Sequence, residues 1–316
     1  MSGIGLLFDT AIDYERIHQL AIYTLLKQSK LGDILQGINA SWDTLWEPEG
    51  QLFDLAIVAG NNNQKSYIEL KMWSSLDDNQ KKRQATFFAN NNAKGIYVLL
   101  GTSWFEVTSG NVATFSNGLA SKVGYLELID LLNKVIVSGN ESPDVLELAL
   151  SYRISLEKQY QLVTNAYKEQ KGNKLFWYSL YDQIRNKMAK TTASIYTVNN
   201  LGGEVYIIND DNSWLSGKCN NIDIRLYFEI VNGTLCIKFY AGTDDTDEKR
   251  SIRDSIRKSI HKELDTMYNV VNAGRIGSYM TACQVEHDFS NVSDIQKSAN
   301  IFDDIHSKMK GIINGI

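Results

Sequence analysis

Proline is nearly absent from this chain. Pro48 and Pro143 are the two examples in 316 residues, which excludes proline-rich linkers and collagen-like or mucin-like segments. Cysteine is also scarce. Cys219, Cys236 and Cys283 stand far apart with no C-x-x-C pair. That excludes a disulfide scaffold and a cysteine-built zinc site, and fits a reducing compartment. His18, His261, His287 and His306 show no metal-ligand spacing. No G-x-x-x-x-G-K-[ST] loop occurs, so ATP-driven work would need a partner. The longest apolar runs, such as Leu55 to Ala59, fall far short of the ~20 residues of a membrane span. Met1 to Thr10 lacks the basic and apolar regions of a secretory signal. The expectation is a cytoplasmic protein with no membrane partner. Basic residues are outnumbered, 32 against 37, for a net charge of -5. This argues against a general polyanion-coating surface and leaves a local basic groove open.

What is present is ordinary globular material, 43% hydrophobic and 22% charged, long enough for two domains. Periodicity predicts a first helix over Thr10 to Gln28, with Asp9 or Thr10 as its N-cap. Strands are expected near Ile34–Ala40, Gln51–Ala59 and Ser66–Met72, then a helix over Asp77–Asn91. Strands near Gly95–Leu100 and Trp104–Thr108 and a helix over Gly124–Val137 follow. A meander followed by a crossover helix predicts an α/β fold with a mixed sheet flanked by helices. The breaker cluster Ser138 to Asp144 sets the expected boundary, giving domains 1–140 and 141–316. The second reads as an α+β region. Helices are expected over Asp144–Lys171 and Lys174–Ala189, and strands near Ala193–Val198, Glu204–Ile208, Ile222–Val231 and Thr234–Tyr240. Asn232-Gly233 signals a hairpin between the last two. A helix over Asp247–Val271, a strand near Tyr279–Glu286 and a helix over Ser293–Ile313 close the chain. The aromatic run Phe176-Trp177-Tyr178, with Leu180, Tyr181 and Ile184, has helical spacing and reads as core.

The informative stretch is Phe53-Asp54-Leu55-Ala56-Ile57-Val58, an Asn-rich turn at Asn61 to Gln64, then Tyr67-Ile68-Glu69-Leu70-Lys71. With the hairpin centred between Asn62 and Asn63, Phe53 opposes Met72, Leu55 opposes Leu70 and Ile57 opposes Ile68. The other face then sets Asp54 opposite Lys71, with Glu69 opposite Ala56 and diagonal to Asp54. A one-residue slip would scatter these charges and bury them among Leu and Ile. An Asp and a Glu at this distance can share a Mg²⁺ ion, since hard cations take oxygen ligands. A neighbouring Lys can orient a metal-bound water, whose pKa the metal lowers. The competing interpretation is an ordinary solvent-face Asp–Lys pair contributing ~0.2–1 kcal/mol.

Two helices add context. Glu15 shares a face with Ile12, Ile22 and Leu26, and Gln19 joins it one turn on. A carboxylate there costs free energy unless it is paired or metal-linked. On the helix after Lys71, which Ser75, Asp77 or Asp78 can cap, Gln80, Gln84, Phe87 and Phe88 fall on one face. Lys81, Lys82 and Arg83 lie on or near the opposite side, as phosphate contacts or as solvated surface.

This arrangement resembles the PD-(D/E)XK nuclease superfamily, with its restriction-endonuclease-like fold. The pattern is a Glu on the first helix, Asp on the second strand, (D/E)-x-K on the third, and a crossover helix often carrying a Gln. Glu15, Asp54, Glu69-Leu70-Lys71 and Gln84 (or Gln80) occupy those places. The resemblance covers about residues 5–135. Phe53 stands where the name-giving proline would be. The resemblance implies a metal-dependent hydrolase with Asp54, Glu69, Lys71, Glu15 and Gln84 in its active site. It further implies one or two Mg²⁺ ions, with Mn²⁺ as a substitute, on Asp54, Glu69 and Glu15. The implied substrate is DNA, less often RNA, in settings such as restriction, repair or anti-phage defence. A non-catalytic nucleic-acid-binding or sensing subunit on the same fold is the alternative, and the retention of Asp54, Glu69 and Lys71 together counts against it.

Beyond Pro143, Arg250, Arg253 and Arg257 form a basic stripe on one helix, beside Lys249, Lys258 and Lys262 and backed by Ile252, Ile256 and Ile260. It is the densest basic patch in the chain, a candidate phosphate-backbone contact or a solvated amphipathic face softened by Asp254 and Glu263. The carboxy-terminal half is expected to select substrate, pair with a second copy or bind a partner protein.

Overall fold

The computed structural model describes residue 8 and residues 10–36, 42–47, 49, 52–59, 65–74, 76–169, 172–200, 203–211, 214–242, 246–264, 267–272 and 279–316. The chain forms two compact units, Met1–Thr164 and Asn165–Ile316. The expected Asp9 and Ser75 caps, the Asn61–Gln64 turn and most of the expected strand near Ile34–Ala40 fall outside the described residues.

The first unit is built on a five-stranded mixed sheet. Its strands are β1 (Trp42–Trp46), β2 (Leu55–Ala59), β3 (Lys65–Lys71), β4 (Lys94–Leu99) and β5 (Ala120–Val123), in that spatial order. β1, β2 and β3 pair antiparallel, while β3, β4 and β5 pair parallel. Helices α1 (Glu15–Gln28) and α2 (Leu31–Gln36) precede the sheet, and α3 (Asp78–Asn91) is the crossover between β3 and β4. Both faces of β2 and β3 are buried, as a sheet with parallel crossovers requires. On the α3 side, Phe53, Ala56, Tyr67, Phe88, Tyr97 and Leu99 form one cluster. Phe53 therefore leaves the face of Leu55 and Ile57. It lies before β2 begins, and its ring packs on Tyr67, Phe87 and Phe88.

Ile34 and its neighbours lie in α2, and the strand that pairs with β2 is β1, further along. Trp104 to Thr108, rich in strand formers, is not a strand. Gly101–Glu106 is helix α4, followed by α5 (Ser109–Phe115). Tertiary anchoring overrides propensity here: Leu100 N–H donates to Lys71 O, Ser103 N–H donates to Met72 O, and Trp104 packs on Tyr125 and Tyr160. Gly101 makes this turn possible. Its φ is +51°, and a Cβ there would lie 2.3 Å from Met72 O.

The domain boundary also moves. α6 (Tyr125–Ser138) and α7 (Pro143–Asn165) are separated by the breaker cluster, but α7 packs into the first unit. Tyr152 is fully buried, stacks on Phe8 and bonds His18, while Gln159 accepts from Tyr125 and donates to Ile12 O. Glu141 in the turn accepts from Lys30 N–H. The cluster is thus a turn within the unit, and the boundary follows at Thr164.

The second unit holds an antiparallel sheet of β6 (Ala193–Asn200), β7 (Gly203–Asp210), β8 (Leu215–Cys219), β9 (Ile222–Val231), β10 (Thr234–Tyr240), β11 (Val270–Asn272) and β12 (Tyr279–Val285). The spatial order is β11-β12-β10-β9-β7-β6, and β8 pairs with the first half of β9. The β9–β10 hairpin turns at Asn232 (φ 46°) and Gly233 (φ 83°), the pair of positive φ values that a tight two-residue turn demands. α8 (Lys174–Arg185), α9 (Thr246–Leu264) and α10 (Ile295–Asn314) supply the core against the sheet. The aromatic run of α8 is buried, as its spacing predicts, and Ile252, Ile256 and Ile260 of α9 are fully buried.

Candidate functional site

The β2–β3 hairpin is shifted by two residues from the expected register: Leu55 opposes Ile68 and Ala56 opposes Tyr67. Because the shift is even, the in–out alternation survives. The paired register ends at Leu55 and Ile68, and the Asp54 carboxylate lies beside Glu69 at that end of the hairpin, close enough to raise its pKa. Asp54 N–H donates to Ile68 O, the residue that already opposes Leu55, so the ladder is irregular at Asp54, as the change of face at Phe53 requires.

Glu69 is 3% exposed yet has three donors. Gln80 Nε2 (2.6 Å) and Lys71 Nζ (2.8 Å) approach Oε1, and Gln84 Nε2 (3.0 Å) approaches Oε2. Gln84 is itself fixed: Tyr97 Oη–H donates to its Oε1 at 2.7 Å, which turns its amide nitrogen toward Glu69 and Leu52 O. Burial, followed by the nearby Asp54 charge, pushes the Glu69 carboxyl up to about 7 against the opposing pull of Lys71.

Asp54 accepts from Leu70 N–H (2.7 Å) and Gln19 Nε2 (2.9 Å). Arg16 aims that amide by donating to Gln19 Oε1, while also pairing with Glu47 and lying over the Trp46 ring. Burial raises the Asp54 carboxyl, with Leu70 N–H and Lys71 opposing. Glu15 projects from α1 to accept from Met72 N–H at 3.1 Å and to face Lys71 at 3.9 Å. Burial raises its carboxyl too. Burial pulls the Lys71 ammonium down, but Glu69, Glu15 and Asp54 together outweigh this and raise it. The lysine is therefore a held cation between two carboxylates.

Sequence reasoning thus brings Asp54, Glu69, Lys71, Glu15, Gln84 and Gln80 to one place. Glu15 is joined to the others through Lys71. Among the described residues no group of three or more His, Cys, Asp or Glu side chains is gathered as a metal-binding set. Two neighbouring carboxylates remain, Asp54 and Glu69, whose oxygens fit a hard divalent cation. Asp54 accepts two hydrogen bonds and Glu69 Oε2 one, so acceptor capacity remains on both. Their raised pKa values mark a site that added positive charge would relieve. Arg16 and Tyr97 were missed from sequence. Arg16 has a local signal, three residues before Gln19 on one helix face. Tyr97 has none, because it reaches the site only through the parallel register that pairs it with Glu69.

On α3, Asp77 caps the helix through Gln80 N–H, Lys81 pairs with Asp78, and Lys82 and Arg83 are exposed. On α9, Arg250 pairs with Asp247 and Arg257 with Asp254, while Arg253 is partly buried and Lys249 is buried. The stripe is therefore less open than its spacing suggests, because acidic residues three positions earlier neutralise its two ends. No helix among the described residues is long and apolar enough to cross a membrane. No family model, curated protein or solved structure matches the chain.

Proposed function

We propose that the first unit is a PD-(D/E)XK-type nuclease with a restriction-endonuclease-like core, hydrolysing phosphodiester bonds of DNA with Mg²⁺. The observation that carries this reading is the buried Glu69–Lys71 pair beside Asp54, braced by Gln84 and Gln80. A solvent-face ion pair would need no such bracing and would not be buried.

Asp54 and Glu69 would hold the ion, which when bound supplies acidification of a water and neutralisation of charge developing on the phosphate. Gln84 and Gln80 hold Glu69 in one orientation, and Leu70 N–H with Gln19 does the same for Asp54. Lys71 offers a fixed ammonium that orients the attacking water and stabilises the developing charge. Glu15 keeps that ammonium charged and in place from the α1 side. Holding these groups before substrate arrives removes the reorganisation that water would demand.

The test is cleavage of plasmid DNA by the full chain with Mg²⁺, Mn²⁺ or EDTA, beside Asp54→Asn and Glu69→Gln, with RNA in parallel. Metal-dependent nicking lost in both variants supports the reading. DNA binding without cleavage under every metal condition would favour a non-catalytic binding subunit.

A further inference from the structure

The helices of the second unit pack on one face of its sheet, where Leu226, Phe228 and Phe239 are buried and Phe228 meets Phe302 of α10. The alternate residues of the same strands, facing the other way, carry a different chemistry. Ser216, Arg225, Tyr240 and Tyr279 form one row across β8, β9, β10 and β12 by direct pairing. Tyr227 lies two residues along from Arg225 on that face, with the indole of Trp214 stacked on it at 4.2 Å and 7°. Tyr240 stacks on Tyr279 at 5.1 Å, and Trp214 meets Tyr279 edge-on. Four aromatic rings are thus in continuous contact, and Trp214 and Tyr279 are 45% and 60% exposed. An exposed aromatic patch of this kind marks a binding surface.

Beside the patch lies a cleft of about 490 Å³ lined by residues of β8, β9 and the end of β10, among them Ser216, Gly217, Asp223, Ile224, Arg225 and Tyr240. Arg225 is exposed and makes no ion pair or side-chain hydrogen bond among the described residues. The neighbouring cations are already engaged, Lys218 by Asp223 and Lys238 by Glu229. A free guanidinium next to stacked rings selects a ligand that carries an anion and a flat π-face together. A neutral sugar could accept hydrogen bonds from the guanidinium but would leave its charge unmatched, and a simple anion would leave the rings unused.

We infer that this cleft and ring patch bind unpaired nucleotides of a nucleic-acid strand, with a base stacked on the Tyr240–Tyr279 side and a phosphate on Arg225. Duplex is disfavoured because its bases are already stacked and offer no face to the rings. The inference deepens the nuclease reading and rests on it only for the fate of the bound strand.

The test is fluorescence anisotropy of a labelled oligothymidylate with the full chain in EDTA, so that cleavage plays no part. Tyr240→Ala should weaken binding between roughly fivefold and 150-fold, the range for one lost base stack, and Tyr240→Phe should restore it. Arg225→Gln should lower the salt slope of binding by about 0.7. Duplex of the same length should compete poorly, and thymidine monophosphate should compete far less well than the strand. Failure of the wild type to bind overturns the inference. So does unchanged affinity in a Tyr240→Ala protein with wild-type circular dichroism, equal competition by duplex, or equal competition by the mononucleotide, which would make this a free-nucleotide site. Strand binding without any metal-dependent cleavage keeps this inference and sinks the nuclease reading. Cleavage of duplex without strand binding does the reverse.

Discussion

Replacing Glu69 by Gln should change how stability depends on pH, and the sign follows from burial. In the folded chain the Glu69 carboxyl is pushed from 4.5 up to about 7. The folded state therefore holds this proton more tightly than the unfolded state does. Such a group lowers stability as pH rises from its unfolded value through its folded one, here between 4.5 and about 7. Each tenfold gain in proton affinity is worth ~1.4 kcal/mol, so the full change is about 3 kcal/mol. Asp54 and Glu15 are raised as well, so they act with the same sign. The assay is urea unfolding in EDTA of wild type and Glu69→Gln at about pH 5, 6, 7 and 8, plotted as the difference between the two. The difference should move against the wild type by on the order of 2–3 kcal/mol across that range and then level off. Added Mg²⁺ should reduce it above about pH 7, since a cation bound to the native site favours the ionised form. A difference that stays constant with pH would refute the claim that Glu69 is held at an energetic cost.

His18 should act in the opposite sense. Its imidazole is buried between Tyr152 Oη and Ile12 O and is lowered from 6.5 to about 4, so stability is lost as pH falls through that window. His18→Gln should flatten the acid limb, and an unchanged acid limb would show that the ring is not buried in this way. Lys71→Ala should reduce turnover on the order of 10²-fold while Mn²⁺ affinity stays near wild type. Normal turnover with lost affinity would make the lysine structural. A fragment of residues 1–164 should unfold cooperatively, whereas one of residues 1–140 should not fold, since it lacks Tyr152 and Gln159. Equal stability of the two fragments, read by thermal denaturation, would restore the boundary at the breaker cluster.

The site was more legible in the sequence than the fold around it. Alternation along Asp54–Val58 and Tyr67–Lys71 has a period of two, so any even register brings the same charged residues to one face. The actual register depends on the turn geometry, and composition did not reveal it. The Gln80/Gln84 face of α3 and the Asn232-Gly233 hairpin were equally readable, because helical spacing and a positive-φ turn are local properties. β5 was not. Ala120-Ser121-Lys122-Val123 is short and half exposed, and it is a strand because it pairs with β4. Trp104 and Phe105 suggested a strand where anchoring to Lys71 O and Met72 O makes a helix. Proline and glycine near Pro143 marked a turn correctly, but burial of α7 decides which unit the helix joins.

A crystal structure of the full chain grown with Mn²⁺, read by anomalous scattering, decides whether Asp54 and Glu69 form a metal site. The expected result is a peak coordinated by carboxylate oxygens of both residues, with Lys71 Nζ close by and Glu15 on its far side. No peak there at millimolar Mn²⁺, with Glu69 still held by Lys71, Gln80 and Gln84, would contradict the proposed chemistry.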